Sequence, residues 1–224
     1  MVMRRWALAL GLLLAPVPSS ACGIELVLAV DVSRSVSNSE YDQQVGGLAA
    51  AFRHPEIIEA IGFVHGGVAV TLMQWSGPES QLQTIPWRLI STPAETARLA
   101  NAIEEDRRKF FAAYTAIGDA LVHARELAKQ NPWTCERRVI DLSGDGISNR
   151  GTPPRGIADV LAAEGVTINA VVIDGAQPDP VSYYADHVIA GDGGFMIIAR
   201  DFNDYARAIR EKLGRELAPA FAQR

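Results

Sequence analysis

Asp31, Ser33 and Ser35 occupy alternate positions in Asp31-Val32-Ser33-Arg34-Ser35, immediately after the apolar run Ile24–Asp31. In an extended loop alternate residues face the same way. The spacing therefore predicts one carboxylate and two hydroxyls aimed at a single point, with Arg34 turned away. Hard cations such as Mg²⁺ take oxygen ligands in near-octahedral array. Hydroxyls add ligands without adding charge, so such a site keeps net positive charge and an open position for a partner's carboxylate. Two later stretches offer matching groups. Thr115 opens the helix-like Thr115-Ala116-Ile117-Gly118-Asp119-Ala120-Leu121, where Gly118 and Ala120 are small enough for close packing, and Asp145 stands between Gly144 and Gly146 after an apolar strand. Each residue also has an ordinary reading: Asp31 as a turn acid, Ser33 or Ser35 as a helix cap, Asp145 as a tight turn. It is their joint presence that favours a cation site.

The elements that must position these groups alternate along the chain. Ile24–Asp31, Gly67–Gln74, Arg138–Leu142, Val166–Ile173 and Phe195–Ala199 read as strands, and the first is a mainly apolar run ending in an acid, as a strand covered on both faces would be. Leu82–Leu89 contains Pro86, which cannot donate to a ladder, so this strand belongs at a sheet edge. Helices are predicted over Glu40–Arg53, Ala94–Arg107, Ala116–Gln130, Gly156–Glu164 and Val181–Asp186. A closing helix carries Phe202, Tyr205, Ala206, Ile209, Leu213 and Leu217 as its apolar stripe. This alternation predicts an α/β fold: a doubly wound, mostly parallel, six-stranded sheet with helices on both faces. Ligands of such sheets bind beyond the carboxyl ends of the strands, where strand order reverses. Asp31 and Asp145 are at strand ends of that kind.

With 224 residues, 48% of them hydrophobic, the chain suits one domain with a full core. The net charge of −5 comes without a basic stripe, which argues against a nucleic-acid partner. Residues 1–21 read as a secretory signal: Arg4 and Arg5, a short apolar stretch from Trp6 to Val17, then Ser19 and Ala21 at the cleavage context. The apolar stretch is too short for a comfortable membrane span, and no later stretch could cross one. The domain is thus expected over residues 22–224, with a charge of −7 once the two arginines are gone. Export makes the two cysteines, Cys22 and Cys135, candidates for a disulfide. Cys22 also follows the signal directly, as a lipidated cysteine would. Ser19-Ser20-Ala21 lacks the aliphatic residue usual three places before such a cysteine, and the disulfide is the favoured reading.

Asp-x-Ser-x-Ser, then Thr-x-x-Gly-x-Ala-Leu, then Asp-Gly after an apolar strand resembles the pattern of von Willebrand factor A domains. The resemblance covers nearly the whole chain after the signal, with the elements in the right order. It implies a metal-ion-dependent adhesion site with Asp31, Ser33, Ser35, Thr115 and Asp145 as ligands, Mg²⁺ as the cation (Mn²⁺ or Ca²⁺ as alternatives) and no catalytic activity. It also implies that Cys22 and Cys135 precede neighbouring parallel strands and lie within disulfide reach. Finer features are similar to the bacterial domain of unknown function 1194 family: Asp-Val-Ser-x-Ser-Val followed by Glu40 and Gln44, Gln74-Trp75-Ser76, Pro86-Trp87, and Arg137 through Gly146.

The favoured function is an exported binding module, periplasmic or secreted, whose cation bridges to an acidic residue of a partner protein or peptide. A metal-dependent phosphatase also begins with an apolar strand ending in Asp, but needs a second acid two residues on, where Ser33 stands. A third reading is a cation that merely pins three loops. Asp119 reads as a helix-surface acid, Asp141 as a strand-end group or a partner of Arg137 or Arg138, and Trp75 and Trp87 as packing residues. His54, His65, His123 and His187 lack zinc-like spacing. The intact mass of the exported protein is expected to fit a chain beginning at Cys22; an added diacylglycerol would instead place it on a membrane.

Overall fold

A computed structural model describes residues 21–111 and 114–218; residues 1–20 of the expected signal lie outside them. The apolar run that ends in Asp31 forms β1 (Ala21–Asp31), buried along its length except at Ala21. Side chains alternate across a strand, so Leu26, Leu28 and Val30 enter one core while Val27 and Ala29 enter another. Helices cover both faces. On the first lie α1 (Asn38–Phe52), α2 (Pro55–Phe63), α3 (Pro93–Glu104) and α7 (Tyr205–Leu217). On the second lie α4 (Ile117–Lys129), α5 (Pro154–Ala163) and α6 (Pro180–His187).

The remaining strands are β2 (Val68–Trp75), β3 (Gln81–Ile90), β4 (Thr134–Gly144), β5 (Val166–Ile173) and β6 (Met196–Ala199). They make one six-stranded sheet in the order β3-β2-β1-β4-β5-β6. Every neighbouring pair is parallel except β2 with β3. The predicted fold class is therefore the observed one. The edge strand β3 holds Pro86 where the register jumps from Val70↔Arg88 to Leu72↔Ile85, a bulge that spares the proline a ladder position. The order reverses between β1 and β4, which opens the crevice where ligands of such sheets sit.

Helix α2 was not foreseen. It is short, opens with Pro55 at its first position and buries only Ile57 and Ile61, too few apolar positions to declare a period. The helix expected over Ala94–Arg107 ends early, at Glu104, because the residues that follow turn back to the site. The last helix is preceded by a 3₁₀ turn over Phe202–Asp204, and its stripe uses Ala208 where Ala206 was expected, since Ala206 is exposed.

Cys22 and Cys135 are direct partners in the β1–β4 ladder and form a disulfide. Their Cα atoms are 4.3 Å apart, at the short edge of the usual span. Asp141 is placed differently from expectation. It faces α7 and pairs with the ammonium of Lys212, not with Arg137 or Arg138. Lys212 is fully buried and also bonds Glu216 Oε1 at 2.5 Å. Asn169 donates to the same Glu216 oxygen at 2.7 Å. Burial, with Glu216 adding to it and Lys212 opposing, pushes the Asp141 carboxyl up to about 8.

Two outcomes follow. Replacing both Cys22 and Cys135 by serine is expected to lower the unfolding free energy by about 2–4 kcal/mol in urea titrations, with the fold retained. Lys212→Met leaves two buried acids without their cation and is expected to cost about 3–5 kcal/mol at neutral pH. Lys212 is the neighbour that holds the Asp141 proton affinity down, so its loss raises that affinity further. Asp141 already holds its proton up to about pH 8 in wild type, so the variant's deficit against wild type grows as pH rises above about 8. A deficit independent of pH would show that Lys212 supplies packing, not charge.

Candidate metal centre

Asp31 ends β1 at the reversal of strand order and has no exposed surface. Its Oδ1 accepts from the Ser33 backbone N–H at 2.7 Å. The Ser33 and Ser35 hydroxyls lie 3.1 Å apart, and the Ser35 hydroxyl donates to Asp145 Oδ1 at 2.7 Å. Four of the five predicted residues therefore form one hydrogen-bonded chain. The reason differs from the predicted one: Val36 N–H bonds Ser33 O at 3.1 Å, which closes a turn, so the loop is not extended. The turn folds Ser33 and Ser35 together and leaves Arg34 exposed at its tip.

Thr115 is buried, and with Ala116 it is tied to two neighbouring loops through backbone hydrogen bonds. Its N–H donates to Asn149 Oδ1 at 2.9 Å and its carbonyl accepts from Asn149 N–H at 2.9 Å, which ties it to the loop after Asp145. The next residue, Ala116, donates to Ser76 O at 2.8 Å. Ser76 follows Trp75, whose carbonyl accepts from Val32 N–H at 2.9 Å. No hydrogen bond among the described residues joins the Thr115 hydroxyl to the other four side chains. Gly118 packs directly on the Thr152 carbonyl, where a Cβ has no room. Asp119 accepts from Thr152 N–H at 2.7 Å and so braces a neighbouring turn away from the acid pair.

Burial first, and the Asp145 charge second, push the Asp31 carboxyl up to about 8, against the Ser33 hydrogen bonds and Arg108. Burial likewise raises Asp145, opposed by its bond from Ser35. Asp31 Oδ2 is buried with no hydrogen-bond partner among the described residues, as are Trp75 Nε1 and Tyr184 Oη. These groups gather at Gly144: a Cβ there would lie 3.2 Å from Asp31 Oδ2, against Tyr184 Oη and beside the Trp75 ring. A buried carboxylate oxygen left unpaired is costly. A divalent cation would satisfy it and offset the repulsion between the two acids, so the residues present fit such an ion. Among the described residues no three His, Cys, Asp or Glu side chains gather as a metal site; the donors here are two carboxylates and hydroxyls.

Sequence reasoning missed the scaffold around the site. Gln44 Nε2 donates to the Asp31 carbonyl at 3.1 Å, and Ser143 donates to Gln44 Oε1 at 3.3 Å. Glu40 completes a capping box with Ser37 at the start of α1, fixing where the β1–α1 loop ends. Both residues had stood out in the sequence, but without a role. Trp75 is a floor beneath the site, and Trp87 donates to Leu127 O at 3.0 Å on α4.

Several solved structures share this fold. The proximal thread matrix protein 1 of the mussel byssus matches with a TM-score of 0.65 at 19% identity, over 86% of this chain and 47% of that one. The chain thus spans about half the length of the mussel protein. The same protein with a zinc-occupied MIDAS motif matches at 0.64 and 17%, over 90% and 47%. A von Willebrand factor type A structure from Catenulispora acidiphila gives 0.59 at 17% identity, over 87% of this chain and 42% of that one. The vWF domain of the pilus tip protein Mfa5 from Porphyromonas gingivalis gives 0.58 at 10%, over 89% and 97%. No curated protein matches the chain in sequence. The family described as Protein of unknown function (DUF1194) matches residues 21–221, and this chain, a von Willebrand factor A-like domain, belongs to it.

Proposed function

We propose that the chain is an exported interaction module that holds a divalent cation, Mg²⁺ first, on Asp31, Ser33, Ser35, Thr115 and Asp145. The cation would engage an acidic side chain of a partner protein or peptide. The observation that carries the reading is Asp31 Oδ2, fully buried and unpartnered beside a second buried carboxylate. Zinc in the MIDAS motif of the mussel relative supports it. Hydroxyls would complete the shell without adding charge, leaving a position for an incoming carboxylate. The site's own groups bind and orient, and none of them is assigned a catalytic step. Export is supported by the disulfide.

Titration calorimetry with Mg²⁺ and Mn²⁺ tests this. Wild type is expected to bind; Asp31→Ala abolishes binding and Asp119→Ala leaves it intact. The cation displaces a proton from an acid whose affinity burial has raised to about 8, so affinity rises with pH between about 6 and 8, up to tenfold per unit. Without cation the sign for stability is the reverse of the usual carboxylate. The folded state binds more protons than the unfolded one between about pH 4 and 8, so Asp31 destabilises progressively as pH rises through that window. Saturating Mg²⁺ should cancel the loss. Affinity chromatography of envelope extract should then recover acidic partners from wild type only when the cation is present. Cation-dependent stability without any cation-dependent partner would indicate a purely structural ion, and absence of binding by wild type would overturn the site.

A further inference from the structure

One guanidinium has all five of its N–H groups engaged, four of them on or beside the loop that carries the two serines. Arg108 lies between α3 and α4, half-buried. Its Nη2 donates to Val32 O and Ser33 O, both at 2.9 Å. Its Nη1 donates to Val36 O at 2.6 Å and to Asn38 Oδ1 at 3.2 Å. Its Nε donates to Phe110 O at 2.9 Å. An arginine has five such donors in a rigid fork, whereas a lysine has three on a flexible stem. Three carbonyls of the Val32–Val36 turn are thus held on one planar group.

The segment that carries Arg108 is itself pinned from below. Gln74, fully buried at the end of β2, accepts from Lys109 N–H at 2.7 Å and donates to Arg107 O at 2.9 Å. Asp106 Oδ2 accepts from Gln74 at 3.0 Å and from the Thr84 hydroxyl at 2.7 Å. The clamp therefore has a foundation in the sheet, on the strand next to β1. Electrostatics alone would keep a guanidinium away from a cation site, since like charges repel. Here the charge points into backbone carbonyls, and the carboxylates are left to the site.

We propose that Arg108 is a positioning residue for the cation: it fixes the Val32–Val36 turn so that Asp31, Ser33 and Ser35 are pre-set around one point before the ion arrives. This rests on the cation-site reading above. The two roles a charge could play here predict opposite signs. A repelling charge is relieved by Arg108→Gln, which would then tighten cation binding. A positioning clamp is lost in Arg108→Gln and also in Arg108→Lys, which keeps the charge but not the fork.

The experiment is Mn²⁺ calorimetry on wild type, Arg108→Gln, Arg108→Lys and the control Lys109→Ala, with hydrogen exchange read at the Ser33 and Val36 amides of the cation-free proteins. Both Arg108 variants are expected to lose affinity by about tenfold or more, as loss of an outer-shell partner does. Their Ser33 and Val36 amides should exchange faster, while Lys109→Ala binds as tightly as wild type or tighter. If Arg108→Gln does not fold, Arg108→Lys decides. Folded variants that bind Mn²⁺ undiminished would overturn the proposal and leave the site standing. Wild type that binds no Mn²⁺ would overturn both. Wild-type Ser33 and Val36 amides that exchange as fast as free loop amides would overturn the clamp whatever the variants do.

Discussion

Asp31 and Asp145 are buried with a single hydroxyl, that of Ser35, between Asp145 and the turn that begins at Asp31. Two carboxylates so placed repel one another in a medium that also desolvates them, and either penalty alone would favour their moving apart. Neither can move. Asp31 is the last residue of a strand with neighbours on both sides, and Asp145 follows a strand of the same sheet. The arrangement is sustained by the linked hydroxyls of Ser33 and Ser35, and the opposing charge it calls for is positive and small.

The same sheet shows what the protein does when it wants a buried acid satisfied from within. Asp141, two strand positions from Ser143, meets the ammonium of Lys212, and Glu216 and Asn169 complete that cluster. Among the described residues no basic side chain does this for Asp31. Arg108, the cationic group that bears on it, directs its donors to carbonyls of the adjoining turn. The contrast separates two uses of buried charge in one fold. On the α7 side Asp141 and Glu216 share the Lys212 ammonium. At the reversal of strand order Asp31 Oδ2 is left unpaired among the described residues.

Much of this was legible in the sequence because it depends on short-range pattern. An apolar run ending in Asp31 declared β1, the buried run Arg138–Leu142 declared β4, and Pro86 declared an edge. Ser33, Ser35 and Asp145 were recognisable by residue type, although the turn that unites them was not: alternation suggested an extended loop, while a Ser33–Val36 hydrogen bond bends it. What stayed hidden depends on long-range partners. Lys212 lies far along the chain from Asp141, so nearby arginines looked like its natural mates. Arg108 gave no signal because its acceptors are backbone carbonyls, which carry no residue identity. Gln44 and Gln74 stood out only as parts of a pattern, and their roles as braces of Asp31 O and of the Arg108 segment needed the fold.

The separation of the disulfide from the site has its own logic. β1 and β4 are joined at Cys22↔Cys135 and run in register to Val30↔Ser143, next to the acids. A slip of one residue in either strand would turn its side chains to the opposite face. Asp31 would then leave the crevice, and Leu26, Leu28 and Val30 would leave their core. The hydrophobic alternation already opposes such a slip over the middle of the strands. The covalent bond at the amino ends opposes it where only a few ladder partners remain, and the Gln44 bond to the Asp31 carbonyl opposes it at the other end. A cation site needs its ligands placed within a fraction of an ångström. For the proposed site that placement would begin with register, and the serine turn and its arginine clamp would refine what the two strands have already brought together.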